Sequence, residues 1–397
     1  MSLSRRLIFL VVVSACIACW PIASMAQQVP PPSFGAAVVF EYQYYPGQNE
    51  SNRRGGTYGL DYFIINVKDQ KTPGQVNDWN YGAEYRFLTN DLRWLHYGWG
   101  AYNFGPAKSS TLQLGYFQVP FGGSYDSWWC PLPFYVGFMD NQAMGVGYKY
   151  QAGPWRFDVD FFKNDTAMQT ETYGSNTTTA QAFDAENTGN INLAYTWNKG
   201  APCNATFSGS FRGGQVFANA GVALPSGAFP IANGVGTRWA GSLNMNGNYG
   251  NWTLDLGLGY YEYSVPNSPN MKPEDKGTIE MQNFGYALVI PGKATFASAS
   301  LQHKFKVTCL GPISSITPYV DFSYLAIPSD VDYVGYSSPV QRLGHETFVI
   351  PGIKLSAGPL WIYVEGLIGQ NVAGTASVGN DDEKWHTGLF AVTALYF

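Results

Sequence analysis

Only four histidines occur in this chain, at His96, His303, His345 and His386. Histidine changes charge near neutral pH, so acid–base chemistry is sought there first. None of the four belongs to a His-Glu-x-x-His pair, and no Gly-x-Ser-x-Gly elbow or phosphate-binding glycine loop accompanies them. No Cys/His spacing has the form of a zinc site. The sequence implies no metal and no cofactor, and it supports catalysis poorly. A phospholipase-like enzyme that assembles serine and histidine from separate strands stands as one alternative reading, and a purely structural protein as another.

Charge spacing says more. Glu84 and Arg86 stand two residues apart, as do Arg156, Asp158 and Asp160, and Lys304 and Lys306. Groups at alternate positions share one face of a β-strand. The same parity puts Arg86, Lys149, Arg156, Arg212, Arg238, Lys304, Lys306 and Lys354 on polar faces, with Asp61, Glu84, Asp158, Asp160, Asp255, Asp321 and Glu365. If those faces surround water, a basic column opposite an acidic one sets a transverse field that orients dipolar solutes.

The elements that carry these charges have period two. Trp79, Tyr81, Ala83, Tyr85 and Phe87 alternate with Asn80, Gly82, Glu84 and Arg86, and Trp155, Phe157, Val159 and Phe161 with Arg156, Asp158 and Asp160. Sixteen such strands are expected, at about 35–45, 57–67, 78–88, 94–104, 110–118, 140–150, 154–163, 188–198, 203–213, 237–248, 251–263, 295–307, 316–326, 345–356, 359–370 and 384–397. Short connections such as Tyr249-Gly250 and Ala357-Gly358 mostly alternate with long ones such as 119–139, 164–187 and 264–294. This is the pattern of an all-β, antiparallel up-and-down transmembrane barrel, with short periplasmic turns and long outer loops. Residues 280–290 also look strand-like, and a crossing there would break the even count. Trp79, Trp155, Trp197, Trp252 and Trp361 fall beside the short turns, while Trp94, Trp239 and Trp385 open strands at the long-loop end. Indoles sorted this way form two interfacial girdles.

Composition agrees. Charged residues are only 13% and aromatics 16%, yet mean hydropathy lies slightly below zero. Alternation between lipid and water produces that dilution, whereas membrane-spanning helices do not. Lys+Arg is 23 against Asp+Glu 28, so there is no basic footprint for nucleic acid. Arg5 and Arg6, the apolar run Leu7 to Cys19 and the small-residue site Ser24-Met25-Ala26 read as a cleaved signal peptide over residues 1–26. Residues 27–34, with three consecutive prolines, read as a short periplasmic lead-in, and 35–397 as the barrel. Cleavage removes Cys16 and Cys19 and leaves Cys130, Cys203 and Cys309, an odd number that completes no disulfide framework. At the other end, Phe397, Leu395, Thr393, Ala391 and Leu389 fall on one face. A terminal aromatic strand of this kind resembles the assembly signal of outer-membrane barrels, with Phe397 its last residue. The expected address is the bacterial outer membrane, and the expected partners are its lipid and lipopolysaccharide, the barrel-assembly machinery and small hydrophilic solutes.

Leu112-Gln113-Leu114-Gly115-Tyr116-Phe117-Gln118-Val119-Pro120-Phe121-Gly122 resembles the strand-to-loop signature of phosphate-selective porins of the O and P type. The resemblance extends over about residues 57–163 through Met144 to Tyr150 and Trp155 to Asn164. It implies a water-filled channel for passive diffusion of small hydrophilic solutes or ions, with phosphate or another small anion as a possible preference, and a trimer. It also implies that the third long loop, Pro120 to Met139, folds inward as the constriction, bearing Asp126, Trp128, Trp129, Phe134 and Tyr135. Gln118 stands where that family usually has a basic residue.

Overall fold

The computed structural model describes residues 32–46, 55–69, 77–88, 93–165, 183–218, 235–265, 277–283, 286–331, 344–372 and 383–397. The stretch expected as a signal peptide, residues 1–26, and parts of several long connections, Asp381 and Asp382 among them, lie outside the described residues.

Sixteen antiparallel strands form a closed barrel. In chain order they are β1 (Pro32–Tyr44), β2 (Thr57–Asp69), β3 (Trp79–Leu88), β4 (Arg93–Phe104), β5 (Ser110–Gln118), β6 (Gln142–Ala152), β7 (Trp155–Asp165), β8 (Phe183–Trp197), β9 (Cys203–Ala218), β10 (Val235–Tyr249), β11 (Trp252–Ser264), β12 (Lys293–His303), β13 (Ser315–Ala326), β14 (Glu346–Ala357), β15 (Leu360–Gln370) and β16 (Trp385–Tyr396). Each pairs with its neighbour in sequence, and β1 closes on β16 with Ala37 opposite Tyr396. Phe397 continues that seam by exchanging backbone hydrogen bonds with Ala36, at 2.7 and 2.9 Å. Closure leaves no unpaired ladder edge, which a backbone in lipid requires.

The strand-like stretch near 280–290 is not a crossing. Thr278–Asn283 and Tyr286–Pro291 pair only with each other, as a hairpin within the long loop before β12. Ile279 and Ile290 are buried in the same apolar cluster as the third loop. The even strand count survives because this alternation is satisfied locally. The first strand begins at Pro32, inside the stretch expected as a lead-in.

Alternation sorts the two faces. Leu112, Leu114, Val159, Ile191, Phe211, Leu243, Leu258 and Val364 stand exposed on the outside. Moving a leucine-sized side chain from water to lipid gains on the order of 2 kcal/mol, so this belt favours a bilayer. Trp79, Trp155, Trp197 and Trp252 are exposed beside the short turns, and Trp239 and Trp385 at the opposite end. His303 also points outward, its ring tilted against those of Trp252 (4.3 Å) and Phe305 (4.2 Å). Trp361 departs from the expected girdle. It shares the inward face of β15 with Tyr363 and Glu365 and packs on Tyr396 at 5.1 Å. The tight turns use glycine at positive φ, Gly250 at 67° and Gly358 at 61°, where a side chain would be strained.

Candidate functional site

The segment between β5 and β6, residues 119–141, runs into the barrel. Val119 N–H donates to the Asn141 carbonyl at 2.8 Å and closes its base. Gly122 has φ +80°, and a Cβ there would lie 2.2 Å from the Phe138 carbonyl oxygen. Only glycine lets the outgoing strand pass its own return so closely. The chain then crosses the inner faces of one wall after another. The Pro120 carbonyl accepts from Asn190 on β8 (3.5 Å) and Ser210 on β9 (3.3 Å), and Ser124 Oγ donates to Asp255 on β11 (2.6 Å).

The innermost stretch is held by two carboxylates. Backbone N–H groups of Asp126 and Ser127 donate to Asp321 Oδ2 on β13, at 3.1 and 2.8 Å. Those of Trp128 and Trp129 donate to Glu365 Oε1 and Oε2 on β15, at 2.5 and 3.0 Å. Four successive amides that lack a ladder partner inside the barrel would otherwise be costly orphans. The buried carboxylates would be costlier still. Each solves the other's problem through charge-assisted bonds of about 1.5–3 kcal/mol each. Tyr319 on β13 also donates to Glu365, orienting it. The return leg contains α1 (Leu132–Tyr135), whose first amide donates to Ser323 Oγ on β13 at 3.0 Å. Phe138 then packs on Tyr261 and Phe296, at 5.1 and 5.5 Å.

Asp126 is half-buried, and its Oδ2 accepts from Ser300 Oγ on β12 at 3.4 Å. Burial first, then repulsion from Asp321 and Asp255, pushes its carboxyl up to about 6, against the pull of Lys354 and Ser300. Asp140, at the base of the loop, is likewise raised to about 6 by burial and Glu84, opposed by Arg86. Trp128 lies between Tyr62 on β2 (6.0 Å) and Tyr363 on β15 (5.4 Å). Trp129 sits edge-on to Phe390 on β16, at 4.7 Å.

Other expected site residues are placed differently. Phe134 and Tyr135 are buried in α1, which packs on β12 and β13. They anchor the loop instead of facing water. Arg212 and Arg238 face inward but are only 1% and 4% exposed, so neither lines an aqueous path. Arg212 donates to the Gly137 carbonyl at 3.4 Å, and Arg238 to Thr188 at 2.9 Å, beside the Tyr263 ring. Asp255 and Asp321 are occupied by the loop and are not free charges of an acidic column. Asp158 and Asp160 are also buried, beside Arg156 (Nε to Oδ2, 3.0 Å) and Asn190 (3.1 Å). Lys304 and Lys306 stand exposed where β12 breaks at the short-turn end. Lys354 lies over the Trp361 and Tyr363 rings, at 4.4 and 5.3 Å.

On β3, β6 and β7 three of the expected basic residues keep exposed surface. There Arg86 pairs with Glu84 along the same strand (2.7 Å), not across neighbouring strands. Lys149 lies 5.9 Å from the Phe117 ring, and the Arg156 side chain is half exposed. The loop-holding role of Glu365, Ser124, Ser300 and Ser323 was missed by sequence reasoning. Glu365 left one signal, as the lone carboxylate at an inward position of an otherwise apolar strand.

No known protein family and no curated protein matches the sequence. Solved structures do match the fold. OprB of Pseudomonas putida superposes with a TM-score of 0.61 at 10% identity, covering 92% of this chain and 94% of that one. The outer-membrane channel DcaP of Acinetobacter baumannii gives 0.56 at 10% identity, with 95% and 100% covered. The outer-membrane protein OmpT of Vibrio cholerae, in its trimer form, gives 0.57 at 10% identity, with 93% and 100% covered. At such identities the likeness is one of fold, and the fold is that of the outer-membrane porins.

Proposed function

We propose that the protein is a porin of the bacterial outer membrane, a passive channel for ions and small hydrophilic solutes. The observation that carries this reading is the third loop, folded across the barrel interior and fastened to the far wall by Asp321 and Glu365. A barrel that only anchors or scaffolds has no need of an internal strap that narrows it without filling it with a separate domain. Asp126, Trp128 and Trp129 form the inner side of the constriction, and Arg86, Lys149 and Arg156 the facing wall. The short turns are periplasmic, residues 1–26 are removed on export, Phe397 marks the strand recognised during assembly, and three copies associate.

The phosphate or small-anion preference implied by resemblance would fall to Arg86, Lys149 and Arg156. Arg86 and Arg156 are paired with Glu84 and Asp158, which favours weak selectivity. The histidines give an enzyme no support: His303 is on the outer face, and His345 Nδ1 accepts from the Ile327 amide at 3.0 Å. Detergent-purified protein added to a planar bilayer should give stable, non-rectifying conductance steps and a small reversal potential in a salt gradient. A bilayer that stays silent while the protein inserts would refute the channel.

A further inference from the structure

One stretch of the inner wall, towards the short turns, carries more positive charge than its neighbours balance. The β12–β13 register runs without a break from Gln302 opposite Tyr319 to Lys306 opposite Ser315, which sets Lys304 opposite Thr317. Thr317 in turn stands opposite Lys354 on β14, and Ser315 opposite Ser356. Three lysines therefore take inward positions on neighbouring strands. Lys304 and Lys306 are exposed and form no ion pair among the described residues. Lys354 is attracted by Asp126 and repelled by Lys304. Asp321 and Glu365 are turned to the loop amides they hold.

The same place is lined with rings. Lys354 Nζ lies 4.4 Å from the Trp361 ring centre and 5.3 Å from that of Tyr363. Trp128 of the third loop packs on Tyr363 at 5.4 Å, and Trp361 packs on Tyr396 at 5.1 Å. Tyr363 is buried, whereas Trp128, Trp361 and Tyr396 keep part of their surface uncovered. These side chains come from the loop and from β14, β15 and β16, which are neighbours. Cation and rings thus share one patch of one wall. The step from the Lys354 ammonium to the Trp361 ring is shorter than a benzoate ion is long.

We infer that this patch binds a carboxylate carried on an aromatic ring. The carboxylate accepts from the Lys354 ammonium, and the Lys304 charge beside it adds attraction. The ring lies against the uncovered part of Trp361, below Trp128. A small inorganic anion gains the lysines but nothing from the rings, whose electron-rich faces repel it. A neutral ring forgoes the lysines, and a cationic one is repelled by them. The inference rests on the channel reading and names a solute class for one wall of that path.

The test is current block in a planar bilayer, with benzoate as the probe and acetate, inorganic phosphate, benzamide and benzylammonium as comparisons. Native channels should show saturable block by benzoate and clearly weaker block by each of the others. Lys354→Met and Trp361→Ala should each weaken benzoate block about tenfold, the effect of losing one charge-assisted bond or one ring contact. Trp361→Phe, which keeps a ring, should restore most of it, and Lys304→Gln should have a smaller effect. Lys199→Gln, which removes an exposed lysine from another short turn, should leave the block unchanged. Conducting channels that benzoate blocks no better than acetate or benzamide, or that phosphate blocks better, would overturn the inference and leave the channel standing. So would a Lys199→Gln effect as large as that of Lys354→Met, since block would then follow rim charge alone. Absence of any conductance would instead count against the channel itself.

Discussion

Two sectors of the same inner wall use their charges in opposite ways. From β9 round to β15, five inward charges are covered: Asp255, Asp321 and Glu365 hold the third loop, and Arg212 and Arg238 are buried among backbone carbonyls, hydroxyls and rings. From β3 to β7, Arg86, Lys149 and Arg156 keep surface that water can reach. Strand alternation is identical in both, and one long loop makes the difference. A charge at an inward position therefore faces the lumen openly only where nothing is folded against it. Elsewhere it is a fastening.

The largest effect expected from that contrast follows from releasing the loop. Asp321→Ala with Glu365→Ala leaves four amides without acceptors, each bond having contributed about 1.5–3 kcal/mol. Conductance should rise severalfold and the current become noisy, while the barrel still inserts. An unchanged conductance would mean that the covered sector is covered by something else. Gly122→Val should act in the same direction through the backbone, because a side chain at φ +80° meets the Phe138 carbonyl. Its signature is loss of the narrow conductance state without loss of heat resistance in detergent.

On the uncovered sector the predicted effects concern selectivity, not bore. Arg86→Ala should free Glu84 and move the reversal potential towards cations by a measurable but smaller amount. Arg212→Ala, on the covered side, should lower stability and leave the reversal potential nearly unchanged. If the two substitutions shifted selectivity equally, the contrast between sectors would fail.

The smallest effect is one of pH. Asp126 and Asp140 have carboxyls raised to about 6. Both are ionised above that value and neutral below it, so acidification from pH 7 to pH 5 removes negative charge beside the path. The reversal potential should move towards anions across that window, and Asp126→Asn should remove about half of the movement.

Much of this is legible in the sequence. Period-two alternation located all sixteen strands, because a lipid face and an interior face impose it on every crossing. Val119-Pro120-Phe121-Gly122 marked where the loop turns, and Gly122 proves to be the residue its close approach demands. What alternation does not carry is depth. It assigned Trp361 to an interfacial girdle from its place beside a turn, although the parity with Glu365 puts it inside. It gives Arg212 and Arg238 to the lumen, and the family resemblance gives Phe134 and Tyr135 to the constriction, since coverage by a loop is a long-range event with no local signature. It also left Glu365 and Asp321 as field charges, because hydrogen bonds from amides more than 190 residues away in sequence leave no pattern near either carboxylate.

The central claim is that the third loop sets the narrowest part of a water-filled path, and one position tests it most directly. In a background of Cys130→Ser, Cys203→Ser and Cys309→Ser, Asp126→Cys is treated with a small cationic thiol reagent during single-channel recording. The account predicts stepwise falls in current, one for each subunit modified, and a shift of the reversal potential towards anions. Complete labelling of Asp126→Cys, shown by mass spectrometry, with current and reversal potential unaltered would contradict it.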